Sequence, residues 1–386
     1  MNSVKVSRKA ELRVESGHPW IYSSDVTDRA KAQPGDAVRV LNQRGQCLGV
    51  AHYSAASQIT LRLLTHKDEP LDRAFYLNRL RTALEFRQRA VTNTDSYRLV
   101  HAEGDLLPGL MVDRYGDYLV LQLLDQGMDA ASATLTDCLQ ELLQPKGILA
   151  RNDVFVRKLE DLSQEPEVLA GEIPERVLVH MNGLQMEADL RHGQKTGVYL
   201  DQRENYVAAA RWAHGRALDC FTSSGGFALH MAPKCESVEG VDSGPEVLKT
   251  AEINRAANGL ANVSFREANA FDYLSGLAQA RRAFETVVLD PPAFAKSRAN
   301  LDAALRGYKE INFKALKLLS RRGILVTCSC SHHVGENDLM EVVAQAALDA
   351  GRTLRILERR TQAQDHPILL TVPETLYLKL FICEVI

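Results

Sequence analysis

The chain has no C-x-x-C pair: its seven cysteines, Cys47, Cys138, Cys220, Cys235, Cys328, Cys330 and Cys383, are odd in number and scattered. That spacing excludes a zinc knuckle and a disulfide framework, and leaves reduced thiols as the expectation. No apolar run reaches the roughly 20 residues that a bilayer-crossing helix needs. The opening stretch from Met1 to Lys9 lacks the apolar segment of a secretory signal. A cytoplasmic protein without membrane contact is expected. Strong charge of one sign is also missing. A net charge of −3 excludes a chain that is basic throughout. The average hides a local excess, since Lys5, Arg8, Lys9, Arg13, Arg29, Lys31, Arg39, Arg44 and Arg62 face only Glu11, Glu15, Asp25, Asp28 and Asp36 before Lys67. A basic module of this kind is one way to hold a polyanion such as RNA, and a merely solvated face is the other.

What is present is enough apolar material, 45% of 386 residues, for two or three domains at about 150 residues each. The most informative stretch runs from Arg216 to Asp242. Ala217 to Phe221 is a short apolar run, Thr222-Ser223-Ser224-Gly225-Gly226 breaks it, and Phe227 to Ala232 has helical composition. A second strand, Val238 to Asp242, ends on a carboxylate about twenty residues after the turn, where a doubly wound sheet places the acid that binds an adenosine ribose. Gly225 and Gly226 are expected to let a nucleoside approach the backbone. The turn is not G-x-G-x-x-G, which favours a mononucleoside such as S-adenosylmethionine over a dinucleotide. A strand, turn and helix with no ligand is the competing reading, because one glycine-rich turn is a weak motif.

Ahead of this stretch, residues 1–70 read as short strands between turns: Trp20 to Tyr22, Ala37 to Leu41, Gln46 to Tyr53 and Gln58 to Leu64. The G-H-P-W-I-Y run with the following G-D-x-V-x-V and G-x-A-x-Y segments resembles a PUA domain, a small barrel that in its family binds structured RNA. Asp72 to about Thr94 is predicted helical, with Phe75, Leu77, Leu80, Leu84 and Phe86 on an apolar stripe and Arg73, Arg79, Arg81, Arg87 and Arg89 largely elsewhere. Strands are expected at Tyr97 to Val100, and at Gly109 to Tyr115 and Tyr118 to Leu124, which form a hairpin across Gly116-Asp117. A helix from Ala130 to Gln144, a strand from Gly147 to Arg151 and a hairpin around Asn182-Gly183 complete a central module, with Leu162 to Pro174 as a surface excursion. The expected domains are thus 1–70, 71–190 and 191–386.

Several motifs then follow in one order: K-T-G-V-Y-L-D-Q-R at 195–203, D-C-F-T-S-S-G-G-F at 219–227, V-D-S at 241–243, L-D-P-P-A-F-A-K-S at 289–297, V-T-C-S-C-S at 326–331 and D-H-P at 365–367. As an ordered set they closely resemble the RlmI type of ribosomal RNA cytosine-5 methyltransferase, over essentially the whole chain. The resemblance implies an α/β fold: a class I, Rossmann-like domain preceded by a central α+β module and an N-terminal PUA-like barrel. It implies S-adenosylmethionine as cofactor and 23S ribosomal RNA as partner, and it leaves room for a homodimer; no metal is expected, because no Cys or Asp cluster surrounds His332 and His333 at zinc spacing.

On that resemblance Cys330, flanked by Ser329 and Ser331, stands where the cytosine-5 RNA enzymes carry a nucleophile, and Gly335-Glu336-Asn337 matches their following motif. Cys328 falls inside the strand end as a packing residue. Asp290, at the end of an apolar strand, is expected to hold the amino edge of a flipped base, with Pro291, Pro292 and Phe294 against the substrate. The cofactor wall is expected from Lys195, Thr196, Tyr199, Asp201, Gln202, Phe221, Gly225 and Asp290. Asp219 should meet the methionine ammonium, Asp242 the ribose and Asn269 the adenine amine. Arg203 is as readily a structural ion-pair partner. Where many cytosine-5 RNA enzymes carry a second cysteine in the Asp-Pro loop, this chain has Pro292. The base that takes the C5 proton is therefore open among His332, His333, Asp290 and water. Two other readings are available: an exocyclic-amine methyltransferase using the same Asp-Pro-Pro loop with Phe294 stacked on the base, and a non-catalytic RNA-binding protein.

Overall fold

The computed structural model describes residues 1–193, 196–295 and 297–386. The chain forms two compact units: Met1–His180 with Ala188–Leu200 and Gln364–Thr375, and Met181–Glu187 with Asp201–Ala363 and Leu376–Ile386.

In the first unit a six-stranded sheet has the order Trp20–Tyr22, Ile59–Thr65, Cys47–Tyr53, Ala37–Leu41, Asn2–Val6, Val26–Asp28. The alternating pattern of Asn2–Val6 buries Val4 and Val6 against Ile21, Val38, Val40 and Leu61. The strands Asn2–Val6 and Val26–Asp28 and the helix Arg8–Glu15 were not legible in the sequence; the first turn of that helix is capped by the Ser7 hydroxyl accepting from the Ala10 amide. The second sheet has the order Glu167–Gly171, Gly147–Ala150, Tyr118–Leu123, Leu110–Tyr115, Ser96–His101. Glu167–Gly171 lies within the stretch expected to be a surface excursion, and pairs antiparallel with Gly147–Ala150 at the sheet edge. The helix Arg73–Ala90, capped by Asp72, buries Tyr76, Leu80, Ala83 and Arg87.

Burial of Arg87 corrects the expectation that the arginines of this helix lie off the packed face. Its Nε donates to the Arg98 carbonyl at 2.8 Å, its guanidinium pairs with Asp105, and Nη2 donates to the Asp365 carbonyl at 2.8 Å. A buried guanidinium is tolerated here because it has partners. Buried polar contacts also fasten the barrel to the segments around the second sheet, the helix Arg73–Ala90 and the turn at Glu160. Arg62 pairs with Glu160 at 2.7 Å, Ser54 donates to the same carboxylate, and His52 Nε2 lies 2.9 Å from the Tyr76 hydroxyl.

The second unit is built on a seven-stranded sheet ordered Val263–Glu267, Ser237–Asp242, Arg216–Cys220, Phe284–Leu289, Leu319–Ser329, Lys379–Val385, Leu354–Arg360. The first five run parallel, and Lys379–Val385 is antiparallel to both neighbours. The apolar runs of Phe284–Leu289, Leu319–Ser329 and Lys379–Val385 fit central strands covered on both faces, while the polar edge strands Val263–Glu267 and Leu354–Arg360 are half-buried or exposed along most of their length. Chain order reverses beside Arg216–Cys220, which makes the carboxyl ends of this strand, Ser237–Asp242 and Phe284–Leu289 the crevice where open α/β sheets take ligands. Among the described residues no helix is long and apolar enough to cross a membrane, and no group of His, Cys, Asp and Glu is placed to hold a metal ion.

Candidate active site

After Cys220 the backbone turns sharply. Phe221 and Ser223 adopt left-handed φ values of 63° and 49°, and Gly225 one of 90°. Side chains other than glycine occupy this region at a cost, and such residues concentrate at functional turns. A Cβ at Gly225 would stand 3.1 Å from Phe265 and 3.2 Å from Leu229, and one at Gly226 would stand 2.4 Å from the Tyr206 ring. A side chain at either position would meet protein, so the turn and the helix packing require glycine there. Gly226→Ala should therefore cost about 1–3 kcal/mol through overpacking against Tyr206. Chemical denaturation checks this, and an unchanged midpoint would show that Tyr206 moves aside freely.

The turn closes on two carboxylates. Asp242 Oδ2 accepts from the Ser223 amide at 3.0 Å and Oδ1 from the Gly244 amide at 2.9 Å. Asp219 is fully buried. Its Oδ2 accepts from the Thr222 hydroxyl at 2.6 Å and the Ala228 amide at 3.0 Å, while Oδ1 has no hydrogen-bond partner among the described residues. Burial, helped by the nearby charges of Asp290 and Asp242, pushes its carboxyl up to about 7, against the two hydrogen bonds that lower it. An orphaned buried carboxylate oxygen calls for a donor, and the methionine ammonium of S-adenosylmethionine is a donor of the right charge. Asn269 caps the helix Ala270–Gln279, its Oδ1 accepting from the Phe271 and Asp272 amides at 2.9 and 3.3 Å. That oxygen, the atom an adenine amine would seek, is already engaged by the helix.

On the other side of the first strand, Asp290 Oδ2 accepts from Gln202 Nε2 at 3.0 Å, and Gln202 in turn accepts from Asn205 at 2.7 Å. Pro291 is buried and Pro292 exposed. The half-buried Phe294 ring packs 4.7 Å from Tyr308 and 5.9 Å from Phe271, centroid to centroid. Cys328 is fully buried beside Gln202 and Asp290, and burial pushes its thiol well above the ordinary value. Cys330 is half-buried, with Sγ 4.0 Å from the Pro291 carbonyl.

Its neighbours Ser329 and Ser331 turn inward to the Tyr308 hydroxyl, at 2.9 and 3.0 Å. Lys379 Nζ donates to the Ser331 carbonyl at 2.7 Å. Neither Tyr308 nor Lys379 was singled out by the sequence. Lys379 is a single charged residue at the head of an apolar run, whereas Tyr308 stands among Arg306, Lys309 and Glu310 with no local pattern to mark it.

Asp201 accepts from the Tyr377 hydroxyl at 2.8 Å. Arg203 is buried and pairs with Glu204 at 3.3 Å. Thr196 and Tyr199 belong to the first unit, where the Thr196 hydroxyl donates to Asp113 at 2.5 Å and lies 2.8 Å from the Tyr115 hydroxyl. Lys195 lies outside the described residues.

Residues 4–66 match a PUA-like domain, and residues 213–369 a methyltransferase domain. The chain is similar to the ribosomal RNA large subunit methyltransferase I of Tolumonas auensis, with 40% identity across 98% of each chain, and to that of Shigella dysenteriae, with 39% identity across 96% of this chain and 95% of the other. Among solved structures, a protein assigned as a SAM-dependent methyltransferase from Streptococcus mutans covers 100% of both chains at a TM-score of 0.84 and 19% identity. A protein assigned as a methyltransferase and solved with S-adenosylhomocysteine does so at 0.86 and 19%. At that identity the structures speak for the fold alone, whereas the curated relatives are alike along their full length. This chain therefore belongs to the ribosomal RNA large subunit methyltransferase I family, whose cofactor is S-adenosylmethionine.

Proposed function

We propose that the protein methylates C5 of a cytosine in 23S ribosomal RNA through a transient bond between Cys330 and C6 of the base. The observation that carries this reading is the placement of Cys330. It is the half-buried thiol of a turn whose flanking serines are both anchored inward on Tyr308, and it stands against the Asp290-Pro291-Pro292 loop. The ring carbon C5 of cytosine is too electron-poor to accept a methyl unaided. Cys330 Sγ gives an electron pair to C6, and the C5–C6 π pair is released into the ring, making C5 a nucleophile. When bound, the cofactor supplies an electrophilic methyl on a sulfonium sulfur. Asp219 would hold its ammonium and Asp242 its ribose. Asp290, steadied by Gln202, faces the N3 and N4 edge of the base. Once C5 bears the methyl, loss of its hydrogen as a proton leaves the C–H pair to restore the C5–C6 double bond, and the C6–S pair departs with Cys330 as thiolate. The exocyclic-amine alternative would stack Phe294 on the base, and that ring is already engaged with Tyr308 and Phe271. Mass mapping of 23S RNA from cells lacking the protein tests the reading. One 5-methylcytosine should vanish and return with the wild-type chain, whereas loss of an exocyclic methyl would overturn it.

Within this reading residues 1–70 contact RNA, 71–190 form the connecting module and 191–386 carry the chemistry. The structure narrows which cations are available for RNA. Arg8, Lys9, Arg13, Arg39 and Arg62 are committed to ion pairs. Lys5, Arg29, Lys31 and Arg44 are exposed and make no direct ion pair among the described residues, Arg44 acting on Glu11 only through its charge. Deleting the barrel would strand Glu160, so charge reversal in the full chain is the cleaner test. Arg29→Glu, Lys31→Glu and Arg44→Glu together should weaken RNA binding and flatten its salt dependence by roughly 0.7–0.9 in log–log slope for each phosphate no longer neutralised. Unchanged affinity and slope would make this face structural.

A further inference from the structure

Lys379 opens the strand Lys379–Val385 and lies opposite Ser329 in antiparallel register, one residue from the turn that presents Cys330. It is only 5% exposed. Nζ donates to the carbonyls of Ser331 at 2.7 Å and Tyr377 at 2.9 Å, and no carboxylate pairs with it among the described residues. A buried ammonium without a counter-charge is costly, because two carbonyl dipoles do not replace the water that burial has stripped from it. Burial accordingly lowers the Lys379 amine to about 8. Of the two groups whose negative charge opposes that shift, Cys330 acts more strongly than Asp338. Asp338 is occupied in accepting the Gly335 amide at 2.8 Å, at the start of the helix Glu336–Asp349.

We propose that Lys379 is the counter-cation of the Cys330 thiolate, fixing the turn through the Ser331 carbonyl and supplying the positive charge that keeps the nucleophile ionised. Lys379 acts through Cys330 and is a positioning residue. Cys328 and Tyr308 flank the thiol, and burial raises the pKa of both, so they remain neutral. The carboxylates around this pair are Asp290, whose charge acts on Cys328, and Asp338, whose charge acts on Lys379. His332, 5.8 Å from the Tyr377 ring, and the exposed His333 are the other basic groups of the turn. If the lysine starts as a neutral amine it takes the thiol proton itself. If it starts charged, the proton goes to water. Both routes end in the same ammonium–thiolate pair, with no other bond changed.

This inference rests on Cys330 as the nucleophile, and two readouts on the full-length chain separate the claims. The first is the rate of Cys330 alkylation by iodoacetamide against pH, with the site assigned by peptide mass. In the wild type the midpoint should fall below the ordinary thiol value of about 8.5. Lys379→Met should raise it by about one pH unit, roughly tenfold less thiolate at neutral pH, and Lys379→Arg should keep it low. The second readout is covalent capture of RNA carrying 5-fluorocytidine, which in Lys379→Met should slow in the same ratio at neutral pH and recover in alkali. A turn that had merely lost its shape would not be rescued by pH. A wild-type midpoint at or above the ordinary value overturns the proposal even if Lys379→Met does not fold, and so does an equal midpoint in the two proteins. A shifted midpoint without capture by the wild type upholds Lys379 and removes Cys330 as nucleophile.

Discussion

Cys330→Ala should abolish both methyl transfer to RNA and covalent capture of 5-fluorocytidine RNA, whereas Cys328→Ala should keep the capture. Without a nucleophile at C6 the ring carbon has no electron pair to offer, so the loss should be on the order of 10⁴-fold, roughly 5.4 kcal/mol of barrier. Fluorine at C5 cannot leave as a proton does, so an enzyme that attacks C6 stays joined to its substrate through the sulfur. Cys328 is the control because it has the same chemistry in a different environment. Its thiol is fully buried between Gln202 and Asp290 and is held protonated. Its removal should cost about 1 kcal/mol of stability and little else. Transfer from labelled cofactor and a mass shift of the trapped complex are the measurements. Full methylation by Cys330→Ala would move the product to an exocyclic amine.

The part of this site that could be read in the sequence is the part carried by strand ends. Apolar runs that stop at Asp242 and Asp290 or pass into Cys328-Ser329-Cys330 mark where parallel strands open onto a ligand crevice, and the strands carrying all three lie in one sheet. Features set by distant pairing were not readable. Lys379 reaches the turn from 48 residues beyond Ser331, by way of an antiparallel strand that no local pattern announces. The D-H-P motif at 365–367 was visible as letters but had no role. The fold gives it one in the first unit, where Asp365 accepts from the Arg98 amide at 2.8 Å and its carbonyl accepts from the buried Arg87. Charge counting over the first 66 residues met the same limit, because the cations alone do not show which of them Glu11, Asp25, Asp68 and Glu160 have already neutralised. The packing of Phe265, Leu229 and Tyr206 around Gly225 and Gly226 adds a requirement for glycine that the letters of the turn did not show.

Asp219→Asn should stabilise the cofactor-free protein above neutral pH and at the same time weaken its hold on S-adenosylmethionine. The carboxyl titrates near 7 in the folded chain against an ordinary value of 3.8. Between those values the folded state keeps a proton that the unfolded state has released, so stability falls as pH rises through the window and the loss is complete above about 7. At 1.36 kcal/mol per unit that loss is on the order of 4 kcal/mol. Asparagine carries no charge to desolvate, and its carbonyl can still accept from Thr222 and Ala228, so much of that loss should be recovered at pH values above about 7. The cofactor responds in the opposite sense. An ammonium facing the unpartnered Oδ1 gains a charge-assisted hydrogen bond worth about 1.5–3 kcal/mol, and Asp219→Asn should lose roughly 10- to 150-fold in affinity. Below about pH 7 the wild type must release a proton before it can hold the ammonium, so its affinity should fall by up to tenfold per pH unit while that of the variant stays flat. Calorimetric titration with the cofactor across this range, alongside denaturation of the free protein, reads both effects. A variant that binds as tightly as wild type, or follows the same pH dependence, would release Asp219 from the ammonium. One that binds weakly without gaining stability would show that the buried carboxylate is balanced by a group other than the cofactor.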